Sequence, residues 1–109
     1  MKFTLPIPVG INHLYKQGRN GWYKDSKAVS WQQEALWELK KHKEKVKGEA
    51  FYITWFRKDK RRFDIDSCLK LLLDTIVKAG IIKDDSNIQF LQVQKQKTDK
   101  ENYCEVEIS

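Results

Sequence analysis

The fold is decided by one stretch, Asp64-Ile65-Asp66-Ser67-Cys68-Leu69-Lys70-Leu71-Leu72-Leu73-Asp74. Its leucines recur at three- and four-residue spacing, which predicts a helix that buries most of its surface and stops at Gly80. Asp66 or Ser67 can cap the free N–H groups where this helix begins. Asp66, Lys70 and Asp74 follow one another at four-residue spacing, so they should form a single polar line along the helix.

Aspartates stand on both sides of this helix in the sequence. Asp64 and Asp66 precede it, whereas Asp84 and Asp85 follow its glycine stop. We expect these carboxylates to gather at one end of the helix, where hard oxygen ligands would suit Mg²⁺ or Mn²⁺. Taken singly, each aspartate is better explained as a helix cap or a turn residue.

Taken together, the carboxylates favour a metal site. Two carboxylates about 5 Å apart repel each other by roughly 3 kcal/mol at an effective dielectric constant near 20. A fold that keeps such repulsion usually holds a cation there, and without the cation at least one carboxyl group should have a raised pKa. Lys70 could then neutralise charge on a reacting phosphate, or it could simply pair with Asp66 or Asp74.

The charge of the chain is unevenly distributed. The net charge is +6, and residues 38–62 contain ten basic and four acidic side chains, whereas residues 63–109 contain six and nine. A basic segment directly before an acidic cluster is typical of a protein that brings a polyanion to a metal ion, which points to phosphodiester chemistry. Solvated lysine faces are the simpler explanation for part of this excess.

The remaining elements follow from periodicity and from turn residues. We predict a strand over residues 2–7, a long loop over 9–28, a helix from Ser26 or Ser30 to Gly48, a strand over 49–57, and final strands over 88–96 and 103–108. The fold class is therefore α+β, a single domain over residues 1–109 in the order β-α-β-α-β-β. A mixed β-sheet should carry two main helices packed against it.

Basic and aromatic residues in the loops are candidates for DNA contact, because such loops can hold a phosphate backbone and stack on bases. The loop aromatics could equally cover the edge of the core. The candidate DNA-binding residues are Lys58, Lys60, Arg61, Arg62, Asn12, Tyr15 and Arg19.

The cellular compartment is predicted from the cysteines, from the N-terminal segment and from the length of the apolar runs. Cys68 and Cys104 form no CxxC pair and are expected to be reduced thiols of the core. The N-terminus is too short and too interrupted by proline for a signal peptide, and no apolar run approaches membrane-spanning length. We therefore expect a cytoplasmic protein without a membrane partner.

These motifs resemble the RusA family of Holliday junction resolvases. The family has Asp-x-Asp-Asn, a lysine four residues after the second aspartate, and an Asp-Asp pair after the helix; here these are Asp64 to Ser67, Lys70 and Asp84-Asp85. Leu5-Pro6-Ile7-Pro8 and Asn12-His13-Leu14-Tyr15 are similar to its N-terminal signature. Two positions depart from the pattern: Ser67 replaces the asparagine, and Phe63 stands where a basic residue is often found.

The resemblance implies a homodimeric, Mg²⁺-dependent endodeoxyribonuclease, with Mn²⁺ as a possible substitute, that resolves four-way junctions by paired symmetric nicks. It implies that Asp64, Asp66 and Asp85 bind the metal and that Lys70 is the catalytic cation. No further protein partner is expected. Two alternatives stay open at this point. One is a nucleic-acid-binding module without catalysis, and the other is a metal-dependent nuclease for other branched DNA.

Overall fold

A computed structural model describes residues 1–8, 15–18, 21–42, 46–59 and 63–109, with the backbone alone at 15–18 and 21–24. The predicted α+β fold and its order of elements are confirmed, and one extra hairpin is present. The helices are α1 (Ser26–Leu39) and α2 (Leu69–Lys78). The strands are β1 (Lys2–Leu5), β2 (Tyr15–Gly18), β3 (Gly21–Lys24), β4 (Ala50–Arg57), β5 (Phe90–Lys97) and β6 (Tyr103–Ile108).

The main sheet has the strand order β1-β6-β4-β5. Strand β6 is antiparallel to both of its neighbours, whereas β4 and β5 are parallel. Parallel neighbours cannot be joined by a hairpin, so the chain crosses over from β4 to β5 through α2. Both acidic segments of the sequence therefore lie within this single crossover.

One face of the sheet and the two helices share the core. Alternate residues of β4 and β6 point into it, among them Phe51, Trp55 and Val106, and they meet apolar residues of both helices. The helices are also joined by a buried hydrogen bond, in which Gln32 Nε2 donates to Thr75 Oγ1 at 3.0 Å. The Thr75 hydroxyl in turn donates to the Leu71 carbonyl at 2.7 Å. This hydroxyl therefore both accepts and donates a hydrogen bond, as a buried polar group requires.

The N-terminal proline segment is tied to both helices. Strand β1 ends before Pro6, which has no N–H to donate to a ladder. Trp31 Nε1 of α1 donates to the Pro6 carbonyl at 2.8 Å, and Cys68 Sγ donates to the Pro8 carbonyl at 3.0 Å. Both cysteines are buried and form no disulfide, as predicted, and burial raises the pKa of Cys104 to about 12.

Several predicted boundaries were wrong. The segment expected to be a loop over 9–28 contains the hairpin of β2 and β3, with Gly18 opposite Gly21; its aromatic residues suit strands. Helix α1 ends at Leu39 and not at Gly48. Lys40 and Lys41, directly after Leu39, are exposed and bury no apolar surface, whereas packing of an apolar face supplies most helical stability.

The start of α2 also differs from the prediction, because neither Asp66 nor Ser67 caps it. Residues 65–68 form turns, and Cys68 occupies the N-cap position without a side-chain capping bond. Asp66 therefore precedes the helix, and the predicted polar line is reduced to Lys70 and Asp74. The stop at Gly80 is confirmed: Gly80 N donates to Val77 O and Ile81 N donates to Ile76 O, with Gly80 at φ 79°.

Candidate active site

The turn that carries Asp64 and Asp66 is held through its backbone. The carbonyls of Phe63, Asp64 and Ile65 all accept hydrogen bonds. Lys95 Nζ donates to Phe63 O at 3.0 Å, Trp55 Nε1 donates to Ile65 O at 2.8 Å, and Ser67 Oγ donates to Asp64 O at 2.9 Å. Ser67 N adds a second bond to Asp64 O at 3.1 Å. The backbone on both sides of Asp64 is therefore fixed.

The side chains on this turn face outward. Asp64 and Asp66 are exposed, whereas Cys68 below them is buried. An exposed carboxylate can reach an ion or a DNA phosphate without opening the core, because its approach is not blocked by packed side chains. The departure at Ser67 is explained here, since its hydroxyl is used to fix the Asp64 carbonyl and not to cap α2.

Lys70 lies in the first turn of α2 and is paired with Asp74. Its Nζ is 3.5 Å from Asp74 Oδ2, and both side chains are about half exposed. An exposed pair at this spacing stabilises a helix by only about 0.3 to 0.5 kcal/mol. The pairing therefore orients the lysine more than it stabilises the fold.

Asp84 and Asp85 lie at a short 3-10 turn (Asp85–Asn87) that contacts α2. Asp84 accepts a hydrogen bond from Ser86 N at 3.3 Å, and hydrogen bonds to Ser86 lower the pKa of Asp84. The pKa of Asp85 is raised, chiefly by its hydrogen bond with Asp84, then by partial desolvation and by repulsion from Asp84 and Asp74, with Lys70 acting in the opposite direction. The charges of Asp74 and Lys70 on α2 therefore both contribute to the pKa of Asp85.

The acidic groups of the candidate site lie on two segments, one before α2 and one after it. Asp64 and Asp66 stand before α2, whereas Asp85 is electrostatically coupled to the side of α2 that carries Asp74 and Lys70. Within the described residues, no three His, Cys, Asp or Glu side chains are grouped closely enough to hold a metal ion. Use of Asp64, Asp66 and Asp85 as one ligand set stays a prediction.

A groove of about 860 Å³ lies elsewhere, lined by residues that include Thr4, Trp37 and Tyr103. None of the predicted catalytic residues lines it. The acidic and basic residues above form a surface site and not a pocket, which suits a large polyanion better than a small molecule. No helix in the described part of the chain is long and apolar enough to cross a membrane.

The sequence matches known proteins along most of its length. The family model described as endodeoxyribonuclease RusA matches residues 6–109. The crossover junction endodeoxyribonuclease RusA of Aquifex aeolicus is 34% identical over 90 residues, which cover 77% of this chain and 68% of that relative. The chain belongs to the endodeoxyribonuclease RusA family. It is therefore a nuclease that hydrolyses phosphodiester bonds of DNA.

The oxygen donors of this RusA-family chain are suited to a hard cation. Mg²⁺ is usually held by one or two protein carboxylates, with waters and substrate phosphates in the other positions. Asp64 and Asp66 lie two residues apart on a turn whose backbone is fixed, and both are exposed. These two residues fit such an ion even without a third carboxylate close by.

The predicted DNA-binding residues of this RusA-family protein lie partly outside the described residues. Asn12, Arg19, Lys60, Arg61 and Arg62 lie outside the described residues, and Tyr15 is described only by its backbone in β2. Lys58 is exposed just after β4, where its backbone N–H donates to Asn102 Oδ1 at 2.6 Å. Lys58 is therefore exposed close to the end of β4. In the sequence, this end precedes the turn that carries Asp64 and Asp66, called the acidic turn below.

Three residues that support the site were not predicted from the sequence: Arg57, Trp55 and Lys95. The Arg57 guanidinium lies 4.5 Å from the centre of the Phe63 ring, so a positive charge stands beside the position where the family often has a basic residue. Trp55 and Lys95 face each other across the β4–β5 pairing. Their role depends on a register between strands that are far apart in sequence, which no local pattern reveals.

Proposed function

We propose that this nuclease resolves four-way DNA junctions by paired symmetric nicks and that it depends on Mg²⁺, with Mn²⁺ as a substitute. The observation that carries the proposal is the fixed, exposed turn of Asp64 and Asp66 followed by Lys70 in the first turn of α2. The choice of substrate is supported by the relative from Aquifex aeolicus, whose name is crossover junction endodeoxyribonuclease.

The proposed roles follow from charge and exposure. Asp64 and Asp66, with Asp85 as the third predicted ligand, hold the metal ion. When bound, that ion supplies positive charge to the reacting phosphate and lowers the pKa of a water molecule. Lys70 neutralises charge that develops on the phosphate or on the leaving oxygen, because its ammonium group is exposed and oriented by Asp74.

Binding of the substrate is assigned to basic residues close to this turn. Lys58, Lys60, Arg61 and Arg62 contact DNA phosphates, and Asn12, Tyr15 and Arg19 contribute from the N-terminal region. Phosphate contacts set the position of the duplex and supply most of the affinity, and their strength falls with salt. Cleavage and binding should therefore be separable by mutation.

The active form is proposed to be a homodimer. A four-way junction is resolved by two nicks related by a two-fold axis, and a closed pair of identical chains provides two sites in that relation. The proposed compartment is the cytoplasm, in agreement with two buried thiols that form no disulfide.

The test is incubation of the pure protein with a labelled four-way junction, a nicked duplex, a flap and a linear duplex, with Mg²⁺ and with chelator. We expect symmetric nicks in the junction alone and only with the metal. Equal cutting of flaps and junctions would favour a broader branched-DNA nuclease. Asp64→Asn, Asp66→Asn and Asp85→Asn should each abolish cleavage while junction binding persists; joint loss of binding and cleavage in all three would indicate a folding role instead.

A further inference from the structure

Two side chains of the sheet donate hydrogen bonds to the backbone of the acidic turn. Trp55 of β4 is fully buried and its indole N–H must find a partner, which is the Ile65 carbonyl. Lys95 of β5 donates to the Phe63 carbonyl from an exposed position. These two carbonyls belong to the residues on either side of Asp64, so its main chain is held at both ends.

The two donors are neighbours because of the parallel sheet. Trp55 and Lys95 are paired in the β4–β5 register and project from the face on which α2 lies. Lys97, two residues further along β5, projects from the same face opposite Arg57. A lysine on an edge strand is usually explained by solubility and by protection of the edge. Lys95 has a more specific contact, because its ammonium group donates a charge-assisted hydrogen bond to the turn.

We propose that Lys95 and Trp55 are positioning residues that hold the Asp64–Asp66 turn in the geometry required for metal binding and cleavage. This inference rests on the proposed function, because it assigns the two residues a part in the work of the same site. Neither side chain touches the reacting atoms. Their effect passes through the Phe63 and Ile65 carbonyls to the Asp64 carboxylate.

The direction in which divalent-cation affinity changes when Lys95 is removed distinguishes a positioning role from a purely electrostatic one. If Lys95 were only a cation near the carboxylates, its removal would reduce repulsion and tighten the binding of a divalent cation. If Lys95 holds the turn, its removal lets Asp64 sample other positions, and cation binding weakens. Outer partners that orient metal ligands typically change metal affinity or activity by about 10- to 100-fold when they are removed.

The experiment compares Lys95→Met, Lys95→Arg and Lys97→Met with the parent chain. Lys95→Met keeps the aliphatic stem but removes charge and donor, and Lys95→Arg keeps both. Lys97→Met removes the same charge from the same strand and is the matched control. For each protein we would measure Mn²⁺ affinity by electron paramagnetic resonance, junction affinity by a binding titration in chelator, and the single-turnover cleavage rate. Thermal melting checks that each variant is folded.

We expect Lys95→Met to bind Mn²⁺ about 10-fold more weakly and to cut about 10- to 100-fold more slowly than the parent, while its junction affinity matches that of Lys97→Met. Lys95→Arg should recover most of both properties. Tighter Mn²⁺ binding by Lys95→Met, or behaviour equal to Lys97→Met in all assays, would overturn the positioning role while the parent still cuts. A parent chain that cuts no junction would overturn the proposed function and this role with it.

Discussion

Lys70 and Asp74 form an ion pair across one turn of α2, with 3.5 Å between Lys70 Nζ and Asp74 Oδ2. The pKa of Asp85 is raised chiefly by its hydrogen bond with Asp84; the charge of Asp74 adds to this rise and that of Lys70 opposes it. The catalytic cation that the sequence suggested is thus coupled to a carboxylate of the turn that follows α2.

Replacement of Lys70 should therefore affect chemistry more than metal binding. We expect Lys70→Ala to lower the single-turnover rate at saturating Mg²⁺ by about 10²- to 10³-fold, which is typical of the loss of one group that stabilises a transition-state charge. Mg²⁺ affinity should be unchanged or tighter, because a nearby cation opposes metal binding. Lys78→Ala, at the exposed end of the same helix, is the control. Cleavage at the parental rate would assign Lys70 to helix stabilisation only.

Asp84 and Asp85 should have opposite effects on the stability of the metal-free protein. A carboxyl group whose folded-state pKa is raised destabilises the fold above that pKa, and a fall in pH through it removes the penalty. Asp85→Asn should thus raise the melting temperature at pH 7 in chelator and make no difference below the ordinary aspartate pKa of about 3.9. Mg²⁺ should stabilise the parent more than the variant.

Asp84→Ala is the counterpart, because the pKa of Asp84 is lowered by its bonds to Ser86. Its stabilising effect is present above the unfolded-state pKa and is lost as the pH falls, so this variant should melt below the parent at pH 7. Melts that shift in the same direction for both variants would contradict the assigned pKa directions.

Two glycines with positive φ should differ in their tolerance of alanine. Gly48 (φ 73°) and Gly80 (φ 79°) both adopt the left-handed conformation, which costs alanine roughly 1 to 2 kcal/mol. A Cβ on Gly48 would also collide with Ile82, whereas one on Gly80 would meet open space. Gly48→Ala should therefore destabilise the protein by about 1 to 3 kcal/mol more than Gly80→Ala in urea unfolding. Equal losses would mean that the Ile82 side chain moves aside without cost.

The basic residues just before the acidic turn should control the salt dependence of junction binding. Replacement of Arg61 and Arg62 together by alanine should reduce the slope of log K against log salt by about 0.9 for each phosphate contact that is lost. Lys27→Ala in α1 combined with Lys40→Ala directly after this helix, both at exposed positions, provides a charge-matched control. An unchanged slope in the arginine variant would show that these residues do not contact DNA.

The dimer is predicted to exist before DNA binds. Sedimentation at micromolar concentration should give twice the mass of the 109-residue chain. A cross-check is the cleavage of both strands in one binding event, because a dimer carries two sites. A clean monomer that still makes paired nicks would refute the two-fold arrangement.

Local patterns predicted the helices and strands that contribute much apolar surface to the core. The leucine spacing predicted α2, the aromatic alternation predicted β4, and the last strand was placed at the same residues that the structure shows. The hairpin at Tyr15–Lys24 was missed because four-residue strands are too short to display a period. The end of α1 was misplaced because the apolar spacing of the sequence continues to Val46, whereas the helix ends at Leu39 and is followed by the exposed Lys40 and Lys41.

The candidate site was predictable in its residue types but not in its arrangement. The carboxylates and Lys70 were singled out by their spacing and by the family resemblance, and their roles stay predictions. The hydrogen bonds from Trp55 and Lys95 to the turn could not be predicted, because they depend on a parallel pairing between strands separated by α2. Ser67 was misassigned as a cap because a hydroxyl can donate as well as accept, and the choice depends on which backbone groups lie nearby.

The position of β6 in the sheet has a consequence for the life of the protein in the cell. This strand is the last of the described elements to be synthesised, yet it stands between β1 and β4. On the ribosome, β1 must wait for its partner until Tyr103–Ile108 has emerged, and pairing of such distant segments is slow. A growing or truncated chain without β6 therefore lacks the strand that joins β1 to β4. The four-stranded sheet of this nuclease is therefore completed only after β6 has been synthesised.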